Sequence, residues 1–409
     1  MQRTRWGLVI ALGAASAAAA FGLGRVTAPA HAPTRPDDLA GAIQASLGEG
    51  DALARLGRTA NLLEALEPAD LPGVLAVYER MIPSIERWEL AAFFAAWARF
   101  DPAGAIEHAL AWPRRSLLEE RRIGVRVAIA GWASADPLKA RFAAEQIAED
   151  HAPLRHDVWR GLAAGWVRSD RDLEGLGVFL GELRPRNQRD AAATVAVREL
   201  LRAGGADAAL DWAGTLLADP SQEMDFKREV FETSVDAAAA ADPAQTAAWT
   251  LEYAEAPYAL EGPLIVARLW GRVDGAAALG WLGAVPAGER RDKAVREAFL
   301  AWATADWDGA DAWLAATALD EFHDPALEVY AEQLLAWEPA EALSWCERIL
   351  DGTRRQRCLS SGASRWYAKD ALAAESWLQT SSLDEEARSQ VRKATGAHPR
   401  SSRKRRARG

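Results

Sequence analysis

An acidic residue, most often Asp and often followed by Pro, returns along this chain at Asp101, Asp136, Asp170, Asp242, Asp274, Asp306, Glu338 and Asp370, with Gly205 in the one gap. Successive steps are 35, 34, 35, 37, 32, 32, 32 and 32 residues. A Trp stands four residues before this position at Trp97, Trp132, Trp166, Trp270, Trp302 and Trp366. A second stands seven residues after it at Trp212, Trp249, Trp281, Trp313, Trp345 and Trp377. Self-similarity at this period marks a repeat architecture, in which no unit can bury its apolar face alone and stacked neighbours build one continuous core.

Within a unit the spacing predicts two helices. Val295, Phe299 and Trp302 fall at i, i+4 and i+7, one face of a helix, and Val125, Ile129 and Trp132 repeat the pattern. The acidic position then closes the first helix and opens the second. Asp is a strong N-cap because its carboxylate accepts from the free N–H groups of the first turn. Pro at the next residue, as in Asp101-Pro102, Asp136-Pro137 and Asp242-Pro243, suits a position that needs no donor. Four residues past the acid stands a small side chain (Ala105, Ala140, Ala209, Ala278, Ala310, Ala342, Ala374), where two helices can approach closely. Helix-stopping residues follow at Pro113, Pro185, Pro220, Pro257, Pro286 and Gly352. The strict phase of both Trp series with the caps places these rings in the core. Trp88, Trp112, Trp159, Trp307 and Trp337 lie outside both series and are the better candidates for exposed aromatics.

The pattern resembles tetratricopeptide-like repeats, which have a period of about 34 residues, an aromatic late in the first helix and a small residue early in the second. The resemblance runs from about Arg87 to Thr380. It departs in the Trp after the cap and in lacking a Pro that closes each unit. The chain resembles more closely uncharacterised exported bacterial proteins with W-x3-D-P-x2-A-x2-W repeats. The resemblance implies an all-α, right-handed α–α superhelix of about nine helical hairpins and a binding or scaffolding role. It carries over no catalytic residue, metal or cofactor.

Outside the repeats the chain divides into residues 1–25, 26–38, 39–86 and 393–409. Trp6 to Gly24 is uncharged and follows Arg3 and Arg5. As a helix it would span about 28 Å, close to a bilayer core of about 30 Å. It reads as an inner-membrane anchor with its N-terminus in the cytoplasm. The alternative is a cleaved signal, with small-residue sites at Ala28-Pro29-Ala30 and Ala30-His31-Ala32. Either route exports the body of the protein, with residues 26–38 as linker. Residues 39–86 lack the repeat and read as an N-terminal helical cap, with a helix opening after Glu67-Pro68 and an apolar stripe at Leu71, Leu75 and Tyr78. The basic tail after His398 reads as disordered, with an anionic envelope polymer or lipid headgroup as its candidate partner. The net charge of −10 argues against wholesale nucleic-acid affinity.

The chemistry of an active site is not visible. HExxH, GxSxG, Walker A, GxGxxG and CxxC are all missing from the sequence. The acids Asp306, Asp308 and Asp311 fail the calcium-loop pattern, since position 6 is not Gly and position 12 is Thr317. Only 6 of the 48 basic residues are Lys. In tetratricopeptide-like stacks the groove is lined mainly by first helices, whose polar and off-phase positions here include Arg87, Trp88, Arg122, Arg126, Arg155, Trp159, Arg290, Arg296 and Arg365. Guanidinium forks bind carboxylates bidentately, so an acidic segment or C-terminal carboxylate is the first ligand to test. The competing reading pairs each Arg with an acid one turn away. Cys346 and Cys358 flank Gly352 by six residues each, so an antiparallel hairpin brings them to similar heights. An oxidising compartment would permit their disulfide. The reading is a non-enzymatic, membrane-anchored periplasmic scaffold with a protein or peptide partner. The alternatives are a cell-wall glycan-binding protein, marked by a row of exposed Trp, and an (α/α) toroid hydrolase, marked by facing carboxylates in a deep pocket.

Overall fold

The computed structural model describes residues 35–111 and 118–394, so the apolar segment Trp6 to Gly24, Trp112 and the tail beyond Ala394 lie outside the described residues. Among the described residues every regular element is helical, and no helix is long and apolar enough to cross a membrane. The chain divides into two compact units, residues up to Thr233 and residues from Ser234.

The first unit opens with α1 (Leu39–Leu47), α2 (Ala52–Glu64) and α3 (Leu71–Met81). Asp38 caps α1, and Arg35 reaches Asp70 at 2.8 Å, so the end of the expected linker is part of the folded cap. The buried face of α3 is Val74, Val77 and Tyr78, turned from the expected stripe at Leu71, Leu75 and Tyr78. Four hairpins follow. They are α4 (Arg87–Ala98) with α5 (Pro102–Ala111), α6 (Leu118–Ala135) with α7 (Pro137–Asp150), α8 (Arg155–Arg168) with α9 (Leu173–Glu182), and the two halves of α10 (Arg186–Ala218). In the last, the chain breaks at Gly204 and Gly205, and Gly205 pairs φ +73° with ψ −163°, a combination that a side chain strains and Gly adopts freely. That accounts for the one gap in the acidic series.

α11 (Met224–Ala239) and α12 (Pro243–Glu252) follow as the next hairpin in the chain order. The second unit continues with α13 (Gly262–Gly271) and α14 (Gly275–Leu282), α15 (Glu289–Ala305) and α16 (Trp307–Ala316), α17 (Asp324–Leu334) and α18 (Pro339–Glu347), and α19 (Gly352–Lys369) and α20 (Ala371–Thr380). α21 (Glu385–Ala394) packs on α19 and closes the array, a terminal helix that the repeat did not announce. Within each unit first helices stack on first helices. α4 meets α6, α6 meets α8 and α8 meets α10, while α13 meets α15, α15 meets α17 and α17 meets α19. The architecture is thus an all-α, solenoid-like array of nine hairpins among the described residues.

The repeat has a geometric cause. The N–H of the acidic residue donates to the carbonyl of the residue four before it, at 3.1 Å for Asp101–Trp97, 2.7 Å for Asp306–Trp302 and 2.8 Å for Asp370–Trp366. The same Asp then turns to extended backbone, and its Oδ1 accepts from the third residue of the next helix, at 2.9 Å for Gly104, 3.1 Å for Lys139, 3.0 Å for Gln245 and 2.9 Å for Ala277. One residue thereby ends one helix and caps the next. Two expected caps differ. Asp170 does not cap α9; Asp172 does, accepting from Gly175 at 2.9 Å, with both Asp residues at positive φ. Glu338 caps nothing, because its longer side chain turns to Glu341, whose carboxyl raises the Glu338 pKa.

The small residue four past the cap is the true core contact. Ala105, Ala140, Ala209, Ala278, Ala310 and Ala374 are fully buried. The Trp series flank it. Trp97, Trp166, Trp212 and Trp345 are buried, but Trp132, Trp249, Trp270, Trp281, Trp302, Trp313, Trp366 and Trp377 are half-buried. Reading every ring as core therefore overstates the burial of most of them. Close stacking of first helices also demands small residues: a Cβ on Gly165 would stand 2.2 Å from the Ala130 carbonyl oxygen.

Candidate functional site

First helices carry most of the arginines singled out above, and their partners differ between the two units. In the first unit Arg122 donates to Glu119 one turn away at 2.8 Å and lies 3.4 Å from Asp157 of the next first helix. Arg126 lies 3.6 Å from the same carboxylate. Asp157 is buried, which pushes its pKa up, and both arginines pull against that. The Arg155 Nε donates to the Ala148 carbonyl. Trp159 is buried and donates to Gln188 at 2.9 Å. Trp88 is half-buried, and Arg87 is exposed with no ion pair among the described residues. Most of these groups stitch one repeat to the next, and the pairing is across a repeat more often than along a helix.

A further stitch escaped the sequence reading. Arg189, only 3% exposed, donates to Glu229 at 2.9 Å and covers the Phe226 ring at 5.2 Å. Asp190 Oδ1 and Glu229 Oε1 are both shut off from solvent with no hydrogen-bond donor. A proton on Glu229 donating to Asp190 satisfies both. Burial, and then that bond, push the Glu229 carboxyl up to about 8. The chain offers little warning of this, since Arg189 and Glu229 are 40 residues apart.

In the second unit the same face opens. Arg354, Arg357, Ser361 and Arg365 follow at i, i+3, i+7 and i+11 on α19, one helical face. Arg354 is held by Asp292 at 2.5 Å and Glu328 at 3.3 Å, and Arg296 by Glu332 at 2.5 Å. Arg357 and Arg365 are exposed, with no carboxylate within 4.0 Å among the described residues. They border a cavity of about 320 Å³ that is also lined by Arg296, Glu328, Glu332, Ser361 and Gly362. Burial pushes the Glu328 carboxyl up, against the pull of Arg354 and Arg357. Cys346 and Cys358 line the same cavity and are joined by a disulfide with Cα atoms 5.6 Å apart, which ties α18 to α19. The structure thus brings Arg296 and Arg365 together with the cysteines. Arg290 is exposed on α15 outside this cavity. Arg357 was the missed residue, although its spacing from Arg365 was a usable signal.

A second surface of the same unit is aromatic. Trp337 is 67% exposed and meets Trp307 edge-on at 6.0 Å. Trp307 stacks on Tyr330 at 5.0 Å with ring planes 10° apart, and Trp345 meets Tyr330 at 4.9 Å. Asp311 accepts from the Tyr330 hydroxyl and Asp306 serves as a cap, so two of the three acids compared with the calcium-loop pattern have structural partners. Among the described residues no three His, Cys, Asp or Glu side chains gather as a metal site.

No family model matches the chain, and no curated protein does. Among solved structures, an engineered protein is similar over 88% of this chain and 98% of its own length, at 15% identity and a TM-score of 0.22.

Proposed function

We propose that this chain is a non-enzymatic scaffold that receives a carboxylate-bearing protein or peptide segment on the first-helix face of its second unit. One observation carries the reading. Arg357 and Arg365 reach a cavity of about 320 Å³ without a carboxylate partner among the described residues, while the neighbouring Arg296 and Arg354 are already paired. A cation without a partner at a cavity wall is a site for an external anion, and the planar guanidinium fork favours a carboxylate. Ala331, Leu335 and Gly362 give the cavity an apolar floor for a side chain beside that carboxylate. In the same reading the chain is exported and held at the inner membrane by residues 6–24, consistent with a disulfide on the cavity wall.

The test is capture of partners from cells, followed by titration of the captured segment against purified protein. Loss of binding when its acidic or C-terminal carboxylate is amidated supports the reading. Binding that is indifferent to amidation and to Arg357→Ala with Arg365→Ala removes it. The exposed Trp337 beside Trp307 supports a second reading, a cell-wall glycan stacked on these rings. Glycan-chain retention abolished by Trp337→Ala would favour it over the first.

A further inference from the structure

Five hairpins close the space beside their first-helix Trp with a second ring from the second helix. Trp97 meets His108 at 5.4 Å, Trp166 meets Phe179 at 5.9 Å, Trp270 meets Trp281 at 6.1 Å, Trp302 meets Trp313 at 5.7 Å and Trp366 meets Trp377 at 6.4 Å. In each, the second ring stands seven residues after the cap. The α8–α9 hairpin obeys the rule because its cap is Asp172 and not Asp170. The α6–α7 hairpin is the exception. It has the first Trp, Trp132, but seven residues past its cap Asp136 stands Ala143.

The missing ring leaves room. Trp132 and Ala143 line a cavity of about 490 Å³ between α5, α6 and α7, with walls from Ile106, Leu110 and Ile147. This cavity lies in the first unit and shares no residue with the arginine-lined cavity. We infer that the α5–α7 cavity is a docking site for an aromatic side chain, preferably an indole, presented by a partner polypeptide with a basic residue beside it. The aromatic requirement follows from the molecule itself, since an indole fills this position in three of those five hairpins. The basic neighbour follows from Glu107, which is exposed on the cavity wall with no ion pair among the described residues. The polypeptide follows from the rim. Leu138 and Phe142, one turn apart on α7, are 65% and 64% exposed and continue the stripe that reaches Gln146 at the cavity. A lone small aromatic would leave that stripe uncovered.

The experiment uses the peptide acetyl-Lys-Trp-Lys-amide, with 5-fluorotryptophan at its centre, and fluorine NMR of its line shape on titration with the whole chain. Wild type is expected to broaden and shift the line, and acetyl-Lys-Ala-Lys-amide to compete at least tenfold more weakly than the unlabelled Trp peptide. Ala143→Trp restores the repeat's own ring. It is expected to raise the melting temperature and to weaken peptide binding at least tenfold. Should that variant fail to fold, Ala103→Arg on the exposed rim blocks the opening without touching the core, and the same loss is expected. Glu107→Gln is expected to weaken the Lys-flanked peptide about threefold while leaving acetyl-Gly-Trp-Gly-amide unchanged. Undiminished binding by Ala143→Trp or by Ala103→Arg overturns the proposal. So does binding by Trp112→Ala but not by wild type, which would mean that the chain's own Trp occupies the cavity.

Discussion

The first-helix faces of the two units use arginine differently. In residues 35–233 most of the cations described above are consumed, with the exposed Arg87 an exception. Arg122 and Arg126 converge on Asp157, Arg168 forks onto Glu199 at 3.0 and 3.1 Å, and Arg189 lies buried on Glu229. In residues 234–394, Arg296 and Arg354 are likewise paired, but Arg357 and Arg365 are left over at a cavity. The same residue type on first helices is thus a stitch in one place and an open recognition group in another. The difference lies in whether an acid of the adjacent first helix comes within reach of the guanidinium. Asp157 and Glu199 do so in the first unit. At Arg357 and Arg365 none does: Glu328 and Glu332 of α17 line the same cavity but pair with Arg354 and Arg296.

If first-unit arginines are structural, their removal should cost stability in proportion to burial. Arg189→Ala is the largest case, since it leaves the buried Glu229 Oε2 without its donor and strips the cover from the Phe226 ring. A loss of about 3–5 kcal/mol is expected in denaturant unfolding. The pair also sets a pH dependence. The folded state holds the Glu229 proton to about pH 8, whereas an unperturbed Glu releases it near 4.5. The folded state therefore binds the extra proton across that window, so the stability of the first unit should fall as pH rises through it and level off above. Glu229→Gln should flatten this slope, and a slope of opposite sign would show that Arg189 keeps Glu229 ionised.

Reduction of Cys346–Cys358 is the next largest effect and belongs to the second unit. The cross-link closes a loop of sequence separation 12. Chain-entropy arguments give about 3 kcal/mol for a loop of this size. Melting with and without reductant should show that loss in the second unit, and the cavity between α17 and α19 should lose affinity with it. Equal melting in both conditions would mean that the bridge adds no constraint.

Smaller still is the pair Arg122→Ala with Arg126→Ala. Both side chains are about one-third exposed, 38% and 36%, which tempers the cost of leaving Asp157 alone to about 1–2 kcal/mol. Arg357→Ala with Arg365→Ala should change stability by less than about 0.5 kcal/mol, as expected for exposed groups without partners. A larger loss there would mean that these cations are stitches too.

Much of the fold was legible because one residue type does one job at a fixed step. Asp ends one helix and caps the next, and that requirement is local, so it survives in the sequence as a phase. The departures are local as well. Gly205 supplies a positive φ where the chain turns without an Asp cap, and Asp172 displaces Asp170 by two residues, which Phe179 at seven past the new cap could have revealed. Burial was less legible. A Trp in phase with a core Ala reads as core, yet the helices meet on the Ala and leave the ring at the edge, as at Trp302. The candidate site was legible only in outline, because ion pairing depends on which acid the next repeat presents some 30 residues on. Arg122 and Arg365 are both off-phase first-helix arginines in the sequence and differ in the acids around them.

The most direct test of the arginine contrast is one binding series on two double variants. A fluorescent peptide ending in Asp-Glu with a free C-terminal carboxylate is titrated by anisotropy into wild type, Arg122→Ala with Arg126→Ala, and Arg357→Ala with Arg365→Ala. The account predicts affinity within twofold of wild type for the first variant and a loss of at least tenfold for the second, with the wild-type affinity falling as salt is raised. Equal affinity of all three proteins, or a greater loss in the Arg122 and Arg126 variant, would contradict it.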